Sequence, residues 1–530
     1  MRNFEQPGRS VVMARNGMAA SSQPAATLAA IEVLNAGGNA MDAAVAACAV
    51  QCVVEPGSTG IGGDCFVLYS KGGSDDIIAY NGAGWSPKAA SVAALNALGV
   101  TKLDRQSPHV VTVPGAIDAW SALLRDHGTR SMKELFAPAI RLAEEGYVVP
   151  PRTASDWAGQ EALLKNEPNA ARVMLKDGRA PAAGSVHYQR ELAQTLRTLG
   201  EQGRDAFYKG PLAQEMVDFL RSRGGLHTLE DFAEYQGRYV QPIKTAFRGY
   251  DIHECAPSGQ GIIALLIMNI LSGFPADGDP LGAERLHREI EATRLAYSVR
   301  DALLADPLAA DVDVAKLLSP EFADMLRAEI DLERAGTQAA PTELPLHRDT
   351  VYLCVVDKDR NCVSFINSIF SAYGSGQMTP RSGIMFHNRG QSFSMVEGHP
   401  NALAPRKRPM HTIIPGMASK DGKVRMVFGV MGGHYQAMGH AHFVSKVLDY
   451  GMDIQSAMNL PRVFPIPGKT TVEAESTLPA ATRAELVRRG FVFDEGSRAI
   501  GGAQAIWVDW EQGVLSGASD HRKDGCALGI

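Results

Sequence analysis

A hydroxyl residue heads an apolar run in HRDTVYLCVVDKDRNCVSFINS, residues 347–368. Inside a chain, Thr350 is an ordinary β-forming residue. It becomes a nucleophile if the Asp349–Thr350 bond is cut, because the new terminus supplies hydroxyl and base on one residue. An α-amine titrates at roughly 7.7–8.0, so about a tenth to a sixth is unprotonated at pH 7, against below roughly 0.1% for a lysine. Acyl transfer also needs donors aimed at the developing oxyanion. Gly432-Gly433 in VFGVMGGHYQ meets that need, since paired glycines turn backbone N–H groups toward a ligand without Cβ obstruction. The same pair also reads as a plain structural turn.

Other motifs carry less. His434, His440 and His442 include an H-x-H pair, but no carboxylate or cysteine is spaced to complete a metal site, so no metal or cofactor is expected. The HRD triplet lacks the other elements of a kinase. GSTGIGGD, residues 57–64, fits neither a Walker loop nor a strand-first GxGxxG and reads as a tight turn before CFVLYS.

The elements that must hold these residues change character along the chain. QPAATLAAIEVLNAGGNAMDAAVAACAVQCVV predicts two close-packed helices, the first stopped at Gly37-Gly38 and the second opened by Asn39. IIALLIM (262–268) predicts a buried helix. AERLHREIEATRLAYSVRDALLADP predicts an amphipathic helix with Leu286, Ile290, Thr293, Tyr297 and Leu304 on one stripe. Beyond Pro341 the spacing favours strands at TVYLCVV, CVSFINS, GIMFHN, KVRMVFGV and AQAIWVDW, with helices near AHFVSKVLDYG and AATRAELVRRG. DKDRN closes a hairpin. The shift near 335–349 divides helix-dominated from strand-rich sequence, and a mobile linker is expected there.

The chain has 530 residues, 45% hydrophobic and 21% charged, with net charge -6. That balance gives no reason to expect nucleic acid or an anionic membrane as partner. The amino terminus lacks a signal-peptide core, and seven cysteines without C-x-x-C spacing read as reduced core thiols. A cytoplasmic protein is the expectation.

Along nearly its whole length the chain resembles the γ-glutamyltransferase (γ-glutamyltranspeptidase) family of N-terminal-nucleophile hydrolases. The stretches that carry the likeness are GMAAS…GGNAMDAAVAA, VPGAIDAW, APAIRLAEEGYVV, AFYKG, GGLHTLEDFAEY, DTVYLCVVDKDRNCVSF, GSG at 374–376, ALAPRKRP, GVMGGHY and GASDHR. The resemblance implies a four-layer αββα sandwich. It further implies a precursor that cleaves itself between Asp349 and Thr350 into a large subunit, 1–349, and a small one, 350–530. Thr350 falls at the nucleophile, Ser368 at a hydroxyl that assists cleavage, and Gly432 and Gly433 at the oxyanion glycines.

Departures from the family concern substrate reading. Ala83 in AGWSP replaces the arginine that holds the glutamyl α-carboxylate, and Ser392 in HNRGQSF replaces the aspartate that holds the α-amine. Phe370 stands for an asparagine, His411-Thr412 for a serine pair, and the stretch after Phe393 is short for a lid loop. Losing two charged hydrogen-bond anchors costs roughly 3–6 kcal/mol, or about two to four powers of ten in kcat/KM. The substrate-binding candidates are Asn388, Arg389, Ser392, His411 and Thr412, with Arg389 and His411 as carboxylate binders; a surface ion pair is the other reading of Arg389. The expected substrate is a small amide, within a branch that includes oxamate amidohydrolase. A γ-glutamyl hydrolase or transferase is the alternative, and a non-cleaving binding protein the third. Processed heterodimers that pair further are a possible assembly.

Overall fold

The computed structural model describes residues 8–336, 349–494 and 499–530. Most of the expected linker, with His347 and Arg348, lies outside the described residues.

Period-two alternation builds the centre of the molecule. In strand Val351–Val356 every residue is buried. Leu353 and Val355 enter one core, whereas Tyr352, Cys354 and Val356 enter another, so the strand is covered on both faces. It sits in a seven-stranded sheet ordered Cys526–Gly529, Met18–Ser21, Val351–Val356, Cys362–Ser368, Asp64–Ser70, Ile77–Gly82 and Arg238–Val240. A second seven-stranded sheet runs Val12–Ala14, Val514–Ser519, Gly502–Asp509, Lys423–Met431, Gly416–Lys420, Tyr250–Glu254 and Ile243–Phe247. Neighbours in both sheets are antiparallel.

The sheets stack face to face. Phe66, Leu68, Tyr352 and Ile366 of the first meet Met417, Val427, Met431 and Ile506 of the second. Contact is close at Gly429, where a Cβ would lie 2.3 Å from the Tyr352 ring. Alanine-rich helices Pro24–Asn35 and Ala40–Val54 cover the outer face of the first sheet. Helices Gly261–Ser272, Ala283–Leu303 and Tyr435–Tyr450 cover the second. The result is the expected four layers, helix–sheet–sheet–helix.

Helix boundaries follow local chemistry. Asn39 accepts from the N–H groups of Met41 and Asp42 at 3.0 Å, and Asp42 accepts from Asn39 N at 2.9 Å, a complete capping box. The preceding helix ends at Asn35, followed by Gly37 with φ +85°, and Gly38 N closes back on Val33 O at 2.9 Å.

Three expectations are corrected. Seven of the fourteen strands in the two sheets precede residue 335, so the helix-rich half supplies as many strands as the other. GIMFHN forms no strand: an isolated bridge pairs Met378 with Met385, and Phe386 and His387 bond to loop carbonyls of Gln377 and Gly62. Helix Ala283–Leu303 buries charge as well as its apolar stripe. Glu289 lies 2.6 Å from both Arg285 and Lys446, and Arg285 also reaches Asp449 at 2.8 Å. Leu304 falls just beyond the helix end.

Candidate active site

Three neighbouring strands of the first sheet deliver polar residues to one place. Ser368 pairs with Asp64 in register, and Val351 pairs with Asn367, which sets Thr350 beside Ser368. Phe66, Tyr352 and Ile366 face the core between the sheets. By alternation, Asp64, Thr350 and Ser368 turn the same way, at the strand ends where that core opens into the site. Each of these polar side chains is buried.

The Thr350 hydroxyl is bonded both to the preceding residue and to the neighbouring strand. Its Oγ1 donates to the carbonyl oxygen of Asp349. Ser368 Oγ lies 3.2 Å from Thr350 Oγ1, a contact in which either hydroxyl can be the donor. Ser368 Oγ in turn accepts from Phe370 N at 3.0 Å. Phe370 has φ +77°, in the region a side chain seldom adopts, which aims its N–H back at Ser368. Burial raises the Asp349 carboxyl above its ordinary range, an effect opposed by Lys523.

The glycine turn reaches this hydroxyl through a glutamine. Strand Lys423–Met431 ends in Gly432, φ +126°, and Gly433, φ +59°, before helix Tyr435–Tyr450. At Gly432 a Cβ would lie 2.9 Å from Gly501 Cα. Gln436, in the first turn of the helix, donates from Nε2 to Thr350 Oγ1 at 3.5 Å and accepts from Ile414 N at 3.2 Å. Gln260 fixes the turn from the other half of the chain. Its Nε2 donates to Gly433 O at 3.1 Å and Thr412 O at 2.8 Å, while its Oε1 accepts from Arg300 at 3.1 Å.

Beside Thr350 lies a buried charge cluster around Asp64. Oδ1 accepts from Gly84 N at 2.9 Å; Oδ2 accepts from His411 Nε2 at 3.0 Å, with His387 Nδ1 at 3.3 Å and Arg389 Nε at 3.7 Å. Burial opposes ionisation of Asp64, but His387 and His411 hold its carboxyl well below the usual range. Burial first, and then Arg389, push His411 down to about 3. It is therefore neutral near pH 7. Burial draws Arg389 down to about 9 against the pull of Asp64, which leaves it charged at neutral pH.

The five binding candidates divide by what they still have to offer. Asn388 is engaged at both ends: Oδ1 accepts from Ser371 N at 3.0 Å, and Nδ2 donates to Ser371 Oγ and Gln391 Oε1. His411 uses Nε2 on Asp64 and Nδ1 on Ile413 N at 3.4 Å, so its ring does not supply the carboxylate donor expected of it. Thr412 Oγ1 accepts from Arg389 Nη1 at 3.0 Å. Arg389 is fully buried with its guanidinium 4.3 Å above the Phe370 ring, so the surface ion pair is excluded. Among the described residues its Nε and Nη2 have no hydrogen-bond partner, nor has the buried Ser392 Oγ.

Sequence reasoning missed Asp64, His387, Gln260 and Gln436. A signal for Asp64 was present: like Thr350, it is a polar residue opening a wholly buried strand. GSTGIGGD is a close-packed turn, since Cβ atoms at Gly62 and Gly63 would lie 2.2 Å from Met385 O and 2.3 Å from Ser368 O. The clustered histidines diverge to separate partners, Arg300 for His434, Glu254 for His440 and Glu289 for His442. Among the described residues no group of His, Cys, Asp and Glu is arranged to hold a metal, and no helix is long and apolar enough to cross a membrane.

Known proteins agree with this architecture. The family model described as Gamma-glutamyltranspeptidase matches residues 26–530. The glutathione hydrolase-like YwrD proenzyme of Bacillus subtilis is 36% identical, over 98% of this chain and 99% of its own. The oxamate amidohydrolase proenzyme of Klebsiella pneumoniae is also 36% identical, over 97% and 98%. A crystal structure of cephalosporin acylase from Bacillus halodurans superposes with TM-score 0.93 at 38% identity, covering 100% of this chain and 99% of that one.

Proposed function

Since the chain belongs to the gamma-glutamyltranspeptidase family, and so to its self-processed amide hydrolases, we propose that Thr350 is its nucleophile and Asp349–Thr350 its cleavage site. The observation that carries this reading is the contact of Thr350 Oγ1 with Asp349 O and Ser368 Oγ together. In the precursor, Thr350 Oγ1 attacks the Asp349 carbonyl carbon, and Ser368 relays the hydroxyl proton toward the departing amide nitrogen. The C–N bond breaks, an ester links Asp349 to Thr350 Oγ1, and water hydrolyses it. Residues 1–349 and 350–530 become two subunits of one fold.

Turnover repeats the chemistry on a substrate. The freed α-amine of Thr350 takes the hydroxyl proton, Oγ1 attacks the amide carbonyl, and Gly432 and Gly433 N–H groups receive the oxyanion. The leaving amine departs with the proton, and water releases the acyl group. The substrate is a small amide, with oxamate, giving oxalate and ammonia, as the specific reading; similarity to oxamate amidohydrolase supports it. Equal identity to a glutathione hydrolase-like protein supports γ-glutamyl hydrolysis as the second reading. Seven unpaired cysteines, six of them buried, support a reducing, cytoplasmic setting.

Ammonia release from oxamate, measured beside release from a γ-glutamyl anilide, tests the substrate. Turnover of oxamate that far exceeds the anilide is the expected result. The reverse preference would replace it with the γ-glutamyl reading.

A further inference from the structure

We infer that the acyl side of this site is an acid pocket: it takes monoamides of short dicarboxylic acids and refuses acyl groups that carry an α-ammonium. The inference rests on the Thr350 reading above for where the amide lies, and on the donors of Arg389 and Ser392 for the rest.

Arg389 is anchored by one end only. Nη1 bonds Thr412, and the guanidinium plane lies over Phe370. The remaining edge, Nε with Nη2, is the edge that presents two parallel N–H donors to a carboxylate. Both donors are buried and have no partner among the described residues. The nearest acid, Asp64, stays 3.7 Å from Nε, beyond hydrogen-bond reach. Buried donors left unpaired are costly, so a ligand that satisfies them gains strongly. Ser392 supplies a further donor. It is three residues from Arg389 in the same 3-10 turn, where positions three apart share a face, and its hydroxyl is buried without a partner.

Acceptors for an ammonium are engaged elsewhere. Asp64 Oδ1 is bonded to Gly84 N and Oδ2 to His411, while Asn388 Oδ1 is bonded to Ser371 N. Asp64 thus holds the ring beside Arg389 and balances the guanidinium without capping its free edge. An α-ammonium brought into this cluster meets the charge of Arg389, and Asp64, the carboxylate beside it, already faces that guanidinium and His411.

Length is set by Phe370. Its N–H bonds Ser368, next to Thr350, and its ring underlies Arg389. The reacting carbonyl and the acid group are therefore separated by about the span of one side chain, which selects short acids.

The test uses processed wild-type protein and two readouts. Calorimetry compares binding of succinate, succinamide and aspartate, and ammonia release compares oxamate and succinamate with their diamides and with asparagine. Acids are expected to exceed diamides and α-amino analogues by about tenfold or more in affinity and in kcat/KM, the scale of one charge-assisted hydrogen bond. Arg389→Gln is expected to collapse that ratio, its self-cleavage on a gel showing that it folds. Diamides or α-amino compounds accepted as well as acids by the wild type would overturn the pocket. Acid binding through Arg389 with no amide hydrolysed would uphold the pocket and sink the proposed reaction instead.

Discussion

Asp64 and Ser368 lie opposite each other on adjacent antiparallel strands, and each anchors a different half of the site. Ser368 contacts the Thr350 hydroxyl, and Asp64 gathers His411, His387 and Arg389. Ser368→Ala removes the first set of contacts and leaves the second. Precursor cleavage is expected to slow about tenfold or more, the effect of losing a buried hydrogen bond of about 1–3 kcal/mol. A time course of band conversion on freshly made precursor checks it.

Asp64→Asn keeps the shape and deletes the charge that faces a fully buried guanidinium. Breaking a buried pair this way costs about 3–5 kcal/mol. Urea unfolding should show the midpoint lowered with an unchanged slope. A midpoint equal to wild type would mean that Asp64 does not stabilise Arg389.

Gly432→Ala tests the oxyanion turn. The backbone there has φ +126° and the added Cβ would lie 2.9 Å from Gly501 Cα, so the N–H groups must shift. Loss of one well-aimed donor costs about 10²–10³ in kcat. Steady-state rates on the processed variant should fall on that scale, with KM changed little.

Much of the fold was legible from the sequence because its signals are local. The buried alternation of Val351–Val356, the Asn39 capping box and the apolar run in Gly261–Ser272 each announce one element. The Asp64 cluster was not legible. Its members come from positions 64, 387, 389 and 411, brought together by strand register and loop packing that no short window contains. Strands of the first half were missed for a related reason: Ile243–Phe247 and Tyr250–Glu254 carry charges and acquire a buried face only in the sheet. His411 was misjudged because residue type cannot reveal that both ring nitrogens are already bonded.

The pH profile separates pocket from nucleophile. His411 stays neutral above about 3 and Arg389 stays charged below about 9, so neither of these two groups changes charge between those values. A fall in kcat/KM as pH drops below roughly 7.7–8.0 then belongs to protonation of the Thr350 amine. Above about 9, Arg389 loses its proton and the preference for acids over diamides should decline. Profiles for an acid and its diamide, run side by side, check both limbs: a shared acid limb and a basic limb confined to the acid.

The most direct measurement is intact mass and N-terminal sequence of protein that is actively turning over substrate, compared with Thr350→Ala. The account predicts two wild-type fragments, the smaller beginning TVYLC at Thr350, and one uncut, inactive chain for the variant. Active wild-type protein with an unbroken Asp349–Thr350 bond, or turnover by Thr350→Ala, would contradict it.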